Sequence, residues 1–190
     1  SLSFCTPRGR FLARIAGETS GNVLLRRTQY RIADDDSQSC LIAKNMILGK
    51  VYNCRWALER VLRDHGMRVD EKKLKEASLS LKNMLVQVKC ASSLDELRGL
   101  EGSAASIYFN AFDCMILGAK PLFAFGGRNR RPPTDATNAL LSFAYSLLAT
   151  DCASALESVG LDSYVGFMHR DRPGRTSLAL DLMEEFRPCI

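Results

Sequence analysis

Three separated stretches of the sequence each carry side chains able to bind a cation or move a proton: Glu101, His169, and the pair Asp181 and Glu184. Asp181 and Glu184 are three apart, so on a helix they share a face. One imidazole with two or three carboxylates suits Mn²⁺ or Mg²⁺ better than Zn²⁺, which takes more nitrogen and sulfur. Two arginine clusters accompany them: Arg128, Arg130 and Arg131, then Arg170, Arg172 and Arg175. Guanidinium forks match phosphate oxygens bidentately. These residue types together suit phosphodiester chemistry. A metal ion polarises a phosphoryl oxygen and activates a hydroxyl or water, and arginines offset the developing charge. Each residue also has a plainer explanation. A lone histidine is more often core or surface than ligand, and acidic pairs on helices are usually solvated. Glu185 rivals Glu184, and periodicity does not choose between them. His65 is explained by its place near a helix C-terminus.

The elements that must position these groups are mostly helical. Leu94, Leu97, Leu100, Ala104, Ile107, Tyr108 and Ala111 recur at helical spacing, so residues 92–116 read as a helix bearing Glu101. Ser93 with Glu96 forms its capping box. Glu101 lies between Gly99 and Gly102. A helical glycine costs about 1 kcal/mol relative to alanine. Two beside one acid imply a close approach by a neighbouring helix, a metal ion or a nucleic-acid backbone. Residues 161–168 read as a short extended segment delivering His169, followed by a basic turn over 170–175. Residues 176–186 read as a helix capped by Thr176 or Ser177, carrying Asp181 and Glu184.

Elsewhere, residues 1–16 read as a hairpin turning through Thr6-Pro7-Arg8-Gly9, and 17–22 as a linker. A hairpin of this size does not stand alone in water. Residues 22–32 read as a short helix or extended segment, and 34–37 as an acidic helix start. Residues 39–65 read as a long helix ended by Gly66. Its Lys44, Arg55 and Arg63 share a third of the circumference, as a solvated face or a phosphate-facing stripe. Residues 70–87 read as a polar outer helix. The run Phe123–Pro133 reads as an irregular loop, because its glycines open the backbone and its double proline stops a helix. Residues 134–160 read as a long apolar helix at the centre of the core.

The 190 residues suffice for one core-bearing domain, or one domain with an appendage. A formal net charge of +5 permits nucleic-acid binding without requiring it, so clustering matters more than the sum. The seven cysteines are odd in number and widely spaced with no CxxC pair, which argues against structural zinc, and their mostly apolar or helical surroundings read as reduced core thiols of a cytoplasmic protein. No apolar run reaches the roughly 20 residues needed to span a bilayer, and the start does not read as a signal peptide. A first residue other than Met points to processing or a fragment.

Four ordered motifs resemble a known family. They are Gly99-Leu100-Glu101-Gly102-Ser103-Ala104-Ala105-Ser106-Ile107-Tyr108-Phe109; residues 130–142, from Arg130-Arg131-Pro132-Pro133 to Ser142; Gly166-Phe167-Met168-His169; and residues 177–188, through Asp181 and Glu184 to Pro188. With Gly21-Asn22-Val23-Leu24-Leu25-Arg26-Arg27 they cover nearly the whole chain. They are similar to the CRISPR-associated endonuclease/integrase of spacer acquisition, in the version found with type I-C systems. The resemblance implies a mainly α fold: a helical catalytic domain over residues 22–190, with residues 1–21 as the remnant and linker of an N-terminal β-domain. It implies further chain beyond both ends. It implies Mn²⁺ or Mg²⁺ held by Glu101, His169 and Glu184, with Asp181 assisting and Asn138 and Tyr108 near the site. In many relatives the acid at the position of Glu184 is Asp. The implied reaction is metal-dependent transesterification, in which a prespacer 3′-hydroxyl attacks a phosphodiester at a CRISPR repeat boundary. Hydrolytic nuclease activity is the same chemistry with water. Implied partners are DNA, a second copy of the full-length chain, and the small second universal adaptation protein, in the cytoplasm of a prokaryote, with no membrane.

Two other readings compete. One is a helical DNA-binding module without catalysis, using the arginines on phosphate. The other is a structural domain in which Glu101 is held by a core hydrogen bond. The convergence or separation of Glu101, His169 and Glu184 discriminates among the three.

Overall fold

The structure, a computed structural model of the chain, describes residues 2–7, 11–15, 22–130 and 132–190. Strands β1 (Leu2–Cys5) and β2 (Phe11–Ile15) pair antiparallel, Leu2 opposite Ile15 and Phe4 opposite Ala13. The expected hairpin is therefore present, although residues 8–10 of its turn and 16–21 of the linker fall outside the described residues. Its Leu2, Phe4, Leu12 and Ile15 are exposed. The remaining regular elements are helices: α1 (Val23–Ala33), α2 (Asp36–His65), α3 (Glu71–Cys90), α4 (Leu94–Phe112), α5 (Lys120–Phe123), α6 (Ala136–Ser158) and α7 (Ser177–Phe186). Short 3-10 turns, Gly66–Arg68, Asp113–Met115 and Arg187–Cys189, extend α2, α4 and α7.

Helix starts follow local chemistry. The side chains of Asn22, Asp35, Asp70, Ser93 and Asp135 each accept a first-turn backbone N–H. Each such cap contributes about 1 kcal/mol. At α4 the expected box is shifted by one residue: Ser93 Oγ accepts from Glu96 N, while Glu96 Oε2 accepts from Ser92 N at 2.8 Å.

The axis of the body is α2. Its Ile47, Val51 and Leu58 are fully buried against Leu74, Leu81 and Val88 of α3 and Leu97 and Ala104 of α4. α3 keeps the outer position its polarity predicts, with most of its residues exposed and one apolar stripe turned inward. Three leucine-or-valine turns lie fully inside, and the opposite face is solvated. A second cluster joins Cys152, Ala153 and Leu156 of α6 to Leu178, Ala179 and Met183 of α7. The central place expected for α6 is overturned, since its Leu140, Phe143 and Leu147 are 55%, 63% and 54% exposed. Apolar residues go all the way round this helix, so they do not mark which side packs. By length and composition alone α6 could cross a membrane, which corrects the expectation that no stretch could. Its burial of Cys152, Ala153 and Leu156 against α7 is what a core helix also does.

Among the described cysteines, Cys40, Cys54 and Cys152 are buried and Cys90 and Cys189 exposed, all as free thiols.

Candidate active site

The segment before His169 takes no regular strand pairing and is fastened by polar contacts from three helices. Gln29 of α1, 2% exposed, donates through Nε2 to Asp162 O at 2.8 Å and Val165 O at 2.9 Å, and accepts from Asp162 N. Ser163 O accepts the first free amides of α7, from Leu178 and Ala179. Arg98 of α4 donates to Met168 O through both Nε and Nη2. Gly166 is required by packing: a Cβ there would stand 2.9 Å from Asp181 Oδ2 and 2.8 Å from Ser177 Cβ.

Asp181 is the hub of this loop. Only 1% exposed, its Oδ2 accepts from Phe167 N at 2.6 Å and Met168 N at 2.9 Å. Its Oδ1 accepts from His169 N at 2.9 Å and faces His169 Nδ1 at 2.5 Å. A carboxylate has about four acceptor positions, and here all are filled from one loop. Asp181 thus fixes the ring of His169 and leaves Nε2 for another partner.

One turn further along α7, Glu184 is 3% exposed and meets a buried cation. Lys50 of α2 donates from Nζ to Glu184 Oε2 at 2.6 Å and also to Glu101 Oε1. Glu184 Oε1 accepts from Arg187 Nη1 at 2.9 Å. Burial depresses the Lys50 ammonium, and the Glu184 and Glu101 carboxylates more than offset this, holding it above the usual lysine value. Cys54, one turn from Lys50, is pushed up to about 12 by burial, so it stays a thiol. Glu185 points elsewhere, over Gly49 of α2, where a Cβ would meet its Cγ at 2.8 Å. The structure therefore separates the two neighbouring acids.

Glu101 and Glu184, far apart in sequence, converge on one positive charge, and His169 lies on a loop tied to both of their helices. Among the described residues, no three of His, Cys, Asp or Glu form a ready metal cluster. The close-packing explanation for Gly99 and Gly102 does not hold, because a Cβ at either would meet nothing within 4 Å. Instead the Gly102 face of α4 opens on a cavity of about 400 Å³ shared with Gly127, Arg128 and Arg130.

The arginine loop is built around Asn138, which is fully buried. Its Oδ1 accepts from Arg128 Nη1 at 2.7 Å and from Asn129 N, and its Nδ2 donates to Gly127 O and Asp135 Oδ2. Arg128 and Arg187 lie over the Tyr145 ring, 5.5 and 5.1 Å from its centroid. Their buried Nε groups have no acceptor among the described residues. Arg130 is exposed and lines the cavity on either side of this stack as well as the hollow at Lys50. Arg131 falls outside the described residues. Arg170 and Arg172 are exposed and Arg175 half-buried. Tyr108, 6% exposed, lines the hollow beside Lys50 and Glu101, and burial pushes its hydroxyl well above the ordinary tyrosine range. The stripe on α2 is engaged within the chain: Lys44 with Lys89 O, Arg55 with Glu59 and Arg63 with Asp64.

Lys50, Arg187 and Tyr145 were not singled out from the sequence. Lys50 had a readable signal. It interrupts a buried stripe, three residues after Ile47 and four before Cys54, where a charge needs a partner.

The family model described as "CRISPR associated protein Cas1" matches residues 1–190. The CRISPR-associated endonuclease Cas1 1 of Chlorobaculum tepidum is 48% identical over 190 residues, covering 100% of this chain and 55% of that protein. A casposase bound to integration product superimposes with a TM-score of 0.79 at 29% identity, over 98% of this chain and 50% of that one. A Cas6-RT-Cas1–Cas2 complex gives 0.76 at 29% identity over 94% of this chain and 19% of that one. The chain spans about half the length of the curated relatives it matches. Because the family model matches the chain from end to end, the chain belongs to the Cas1 family of CRISPR-associated proteins.

Proposed function

We propose that this chain is the helical catalytic part of a DNA endonuclease/integrase that inserts spacers into CRISPR arrays by metal-dependent transesterification. The observation that carries the reading is the convergence of Glu101 and Glu184 on one buried cation. A site that draws two carboxylates around an ammonium has the donor chemistry for Mn²⁺ or Mg²⁺. His169 supplies the nitrogen donor: its Nδ1 is held by Asp181, the arrangement that orients metal-binding histidines through the other ring nitrogen. When bound, a divalent ion supplies Lewis-acid stabilisation of the phosphoryl group and lowers the pKa of the attacking hydroxyl.

The chain's own residues do the rest. Asp181 keeps the His169 ring in one orientation and one tautomer. Arg187 fixes the second oxygen of Glu184. Arg128, Arg130 and Arg187 present positive charge beside the carboxylates, where a DNA strand running along the open Gly102 face of α4 meets them. Arg170, Arg172 and Arg175 extend that charge past His169. In integration the prespacer 3′-oxygen forms the new phosphorus–oxygen bond, and the 3′-oxygen of the cleaved repeat strand leaves. With water as nucleophile the same site hydrolyses DNA. Likeness to a casposase bound to integration product and to a Cas1–Cas2 assembly supports DNA and the small second adaptation protein as partners. Residues 1–21 then form the remnant and linker of an N-terminal β-domain, through which the intact protein dimerises. The exposed apolar side chains of both strands support this.

The test is Glu101→Ala in the intact protein, assayed with its small partner on a prespacer duplex and a plasmid bearing a repeat. Loss of strand joining with retained salt-sensitive DNA binding is expected. Retained joining overturns the assignment. Joining that is indifferent to chelator favours a reading in which Lys50, Glu101 and Glu184 form a structural ion network on a DNA-binding module.

A further inference from the structure

The ammonium between Glu101 and Glu184 raises a question of room and charge. Lys50 Nζ reaches both carboxylates from the third element of the site, and the whole residue is 4% exposed. Arg187 takes the remaining oxygen of Glu184. The two carboxylates, one ammonium and one guanidinium sum to no net charge. The hollow shared by Lys50, Glu101, Tyr108 and Arg187 measures about 30 Å³. A single water needs roughly 10–15 Å³ of such space, so the hollow holds two or three waters at most. Mg²⁺ keeps several waters when it binds protein. A divalent ion therefore fits neither the space nor the charge while the ammonium stays.

We propose that Lys50 is the built-in occupant of the metal position: its ammonium holds Glu101 and Glu184 together in the unloaded protein and leaves when the ion enters. The inference rests on the reading of these residues as metal ligands. Lys50 then sets the ion concentration at which the site loads, and it blocks phosphodiester chemistry below that concentration. It also solves a folding problem, because buried Glu184 and half-buried Glu101 both pack against α2 and would repel each other without the ammonium between them. A lysine suits this exchange better than arginine. Its compact ammonium on a flexible four-carbon stem leaves as a point charge, without breaking a bidentate fork.

The experiment uses the intact protein, purified without metal, with Mn²⁺ as probe. Mn²⁺ affinity is measured by calorimetry for wild type, Lys50→Gln and Lys50→Met, each with and without Glu101→Gln. Melting curves are run with and without Mn²⁺. Removal of the competing ammonium is expected to tighten Mn²⁺ binding at least tenfold in Lys50→Gln, and Glu101→Gln is expected to abolish that gain. The unloaded variant should melt lower than wild type and recover more on Mn²⁺ addition. Acylation of amines, read by mass spectrometry, should modify Lys50 in wild type faster with Mn²⁺ than without. If Lys50→Met folds only with Mn²⁺, the proposal is supported. If it does not fold at all, Lys50→Gln and the acylation rates decide. Equal or weaker Mn²⁺ binding in Lys50→Gln, with Lys50 protected in the loaded protein, overturns the proposal and leaves the metal reading intact. Failure of wild type and variants alike to bind Mn²⁺ overturns both.

Discussion

Replacing Asp181 by Asn tests how the site is positioned. The substitution keeps the shape of the side chain and one acceptor oxygen. It turns the other oxygen into an amide NH₂ that faces donors. Whichever way the amide turns, two of four partners lose their acceptor: either the amides of Phe167 and Met168, or the amide and Nδ1 of His169. A hydrogen bond to a charged group contributes roughly 1.5–3 kcal/mol. Two lost at a 1% exposed position, within one network and so less than additive, cost about 4 kcal/mol. For a domain of this size, the melting temperature falls by roughly 2–4 °C per kcal/mol, hence on the order of 10 °C. Thermal melts give the magnitude, and amide hydrogen exchange over residues 166–169 gives the location. Exchange should quicken at Phe167, Met168 and His169 beyond the global effect, and strand joining should fall with it. A shift of under about 3 °C with unchanged exchange at these amides would refute the hub role argued from the geometry.

Further substitutions separate packing from chemistry. Gly166→Ala forces a Cβ against Asp181 Oδ2 and Ser177 Cβ, so a loss of about 1–3 kcal/mol in denaturant unfolding is expected, with reduced activity. Gly102→Ala meets nothing within 4 Å and gains helix propensity, so chemical denaturation should report a stabilisation of up to about 1 kcal/mol. A destabilised Gly102→Ala would restore the close-packing view of this glycine. Arg130→Ala, at an exposed position, should leave stability unchanged and lower the salt slope of DNA binding by about one. Arg128→Ala, by contrast, removes contacts to Asn129, Asn138 and Ser142 and should lower the melting temperature as well.

The sequence made the helices legible because their signals are local. Ser93, Asp135 and the acidic turn before α2 mark starts, and leucine spacing marks lengths. The part played by each helix was less legible. The apolar residues of α6 surround it, so only the contact with α7 reveals its buried side. For α3, a high charge content concealed a stripe buried as completely as any in the protein. At the site, residue types pointed to Glu101, His169, Asp181 and Glu184, yet spacing cannot separate a carboxylate that orients an imidazole from one that faces a cation. Asp181 and Glu184 are three apart on one helix and have entirely different partners. Glu184 and Glu185 were indistinguishable until Gly49 gave Glu185 its place. The cation itself was missed, because Lys50 lies on α2, far along the chain from every acid it meets. The glycines beside Glu101 mark a close approach in the sequence, but only the structure excludes a neighbouring helix as its cause, because the missing side chain of Gly102 borders open space.

The central claim is that Glu101, Glu184 and His169 hold one divalent ion at the position of the Lys50 ammonium. Crystals of the intact protein grown without metal and soaked in Mn²⁺, with data collected at the manganese absorption edge, test it most directly. The account predicts one anomalous peak bounded by Glu101, Glu184 and His169 Nε2, with the Lys50 side chain withdrawn. Ordered side chains at all four residues with no peak among them, and Lys50 still bridging the carboxylates, would contradict it.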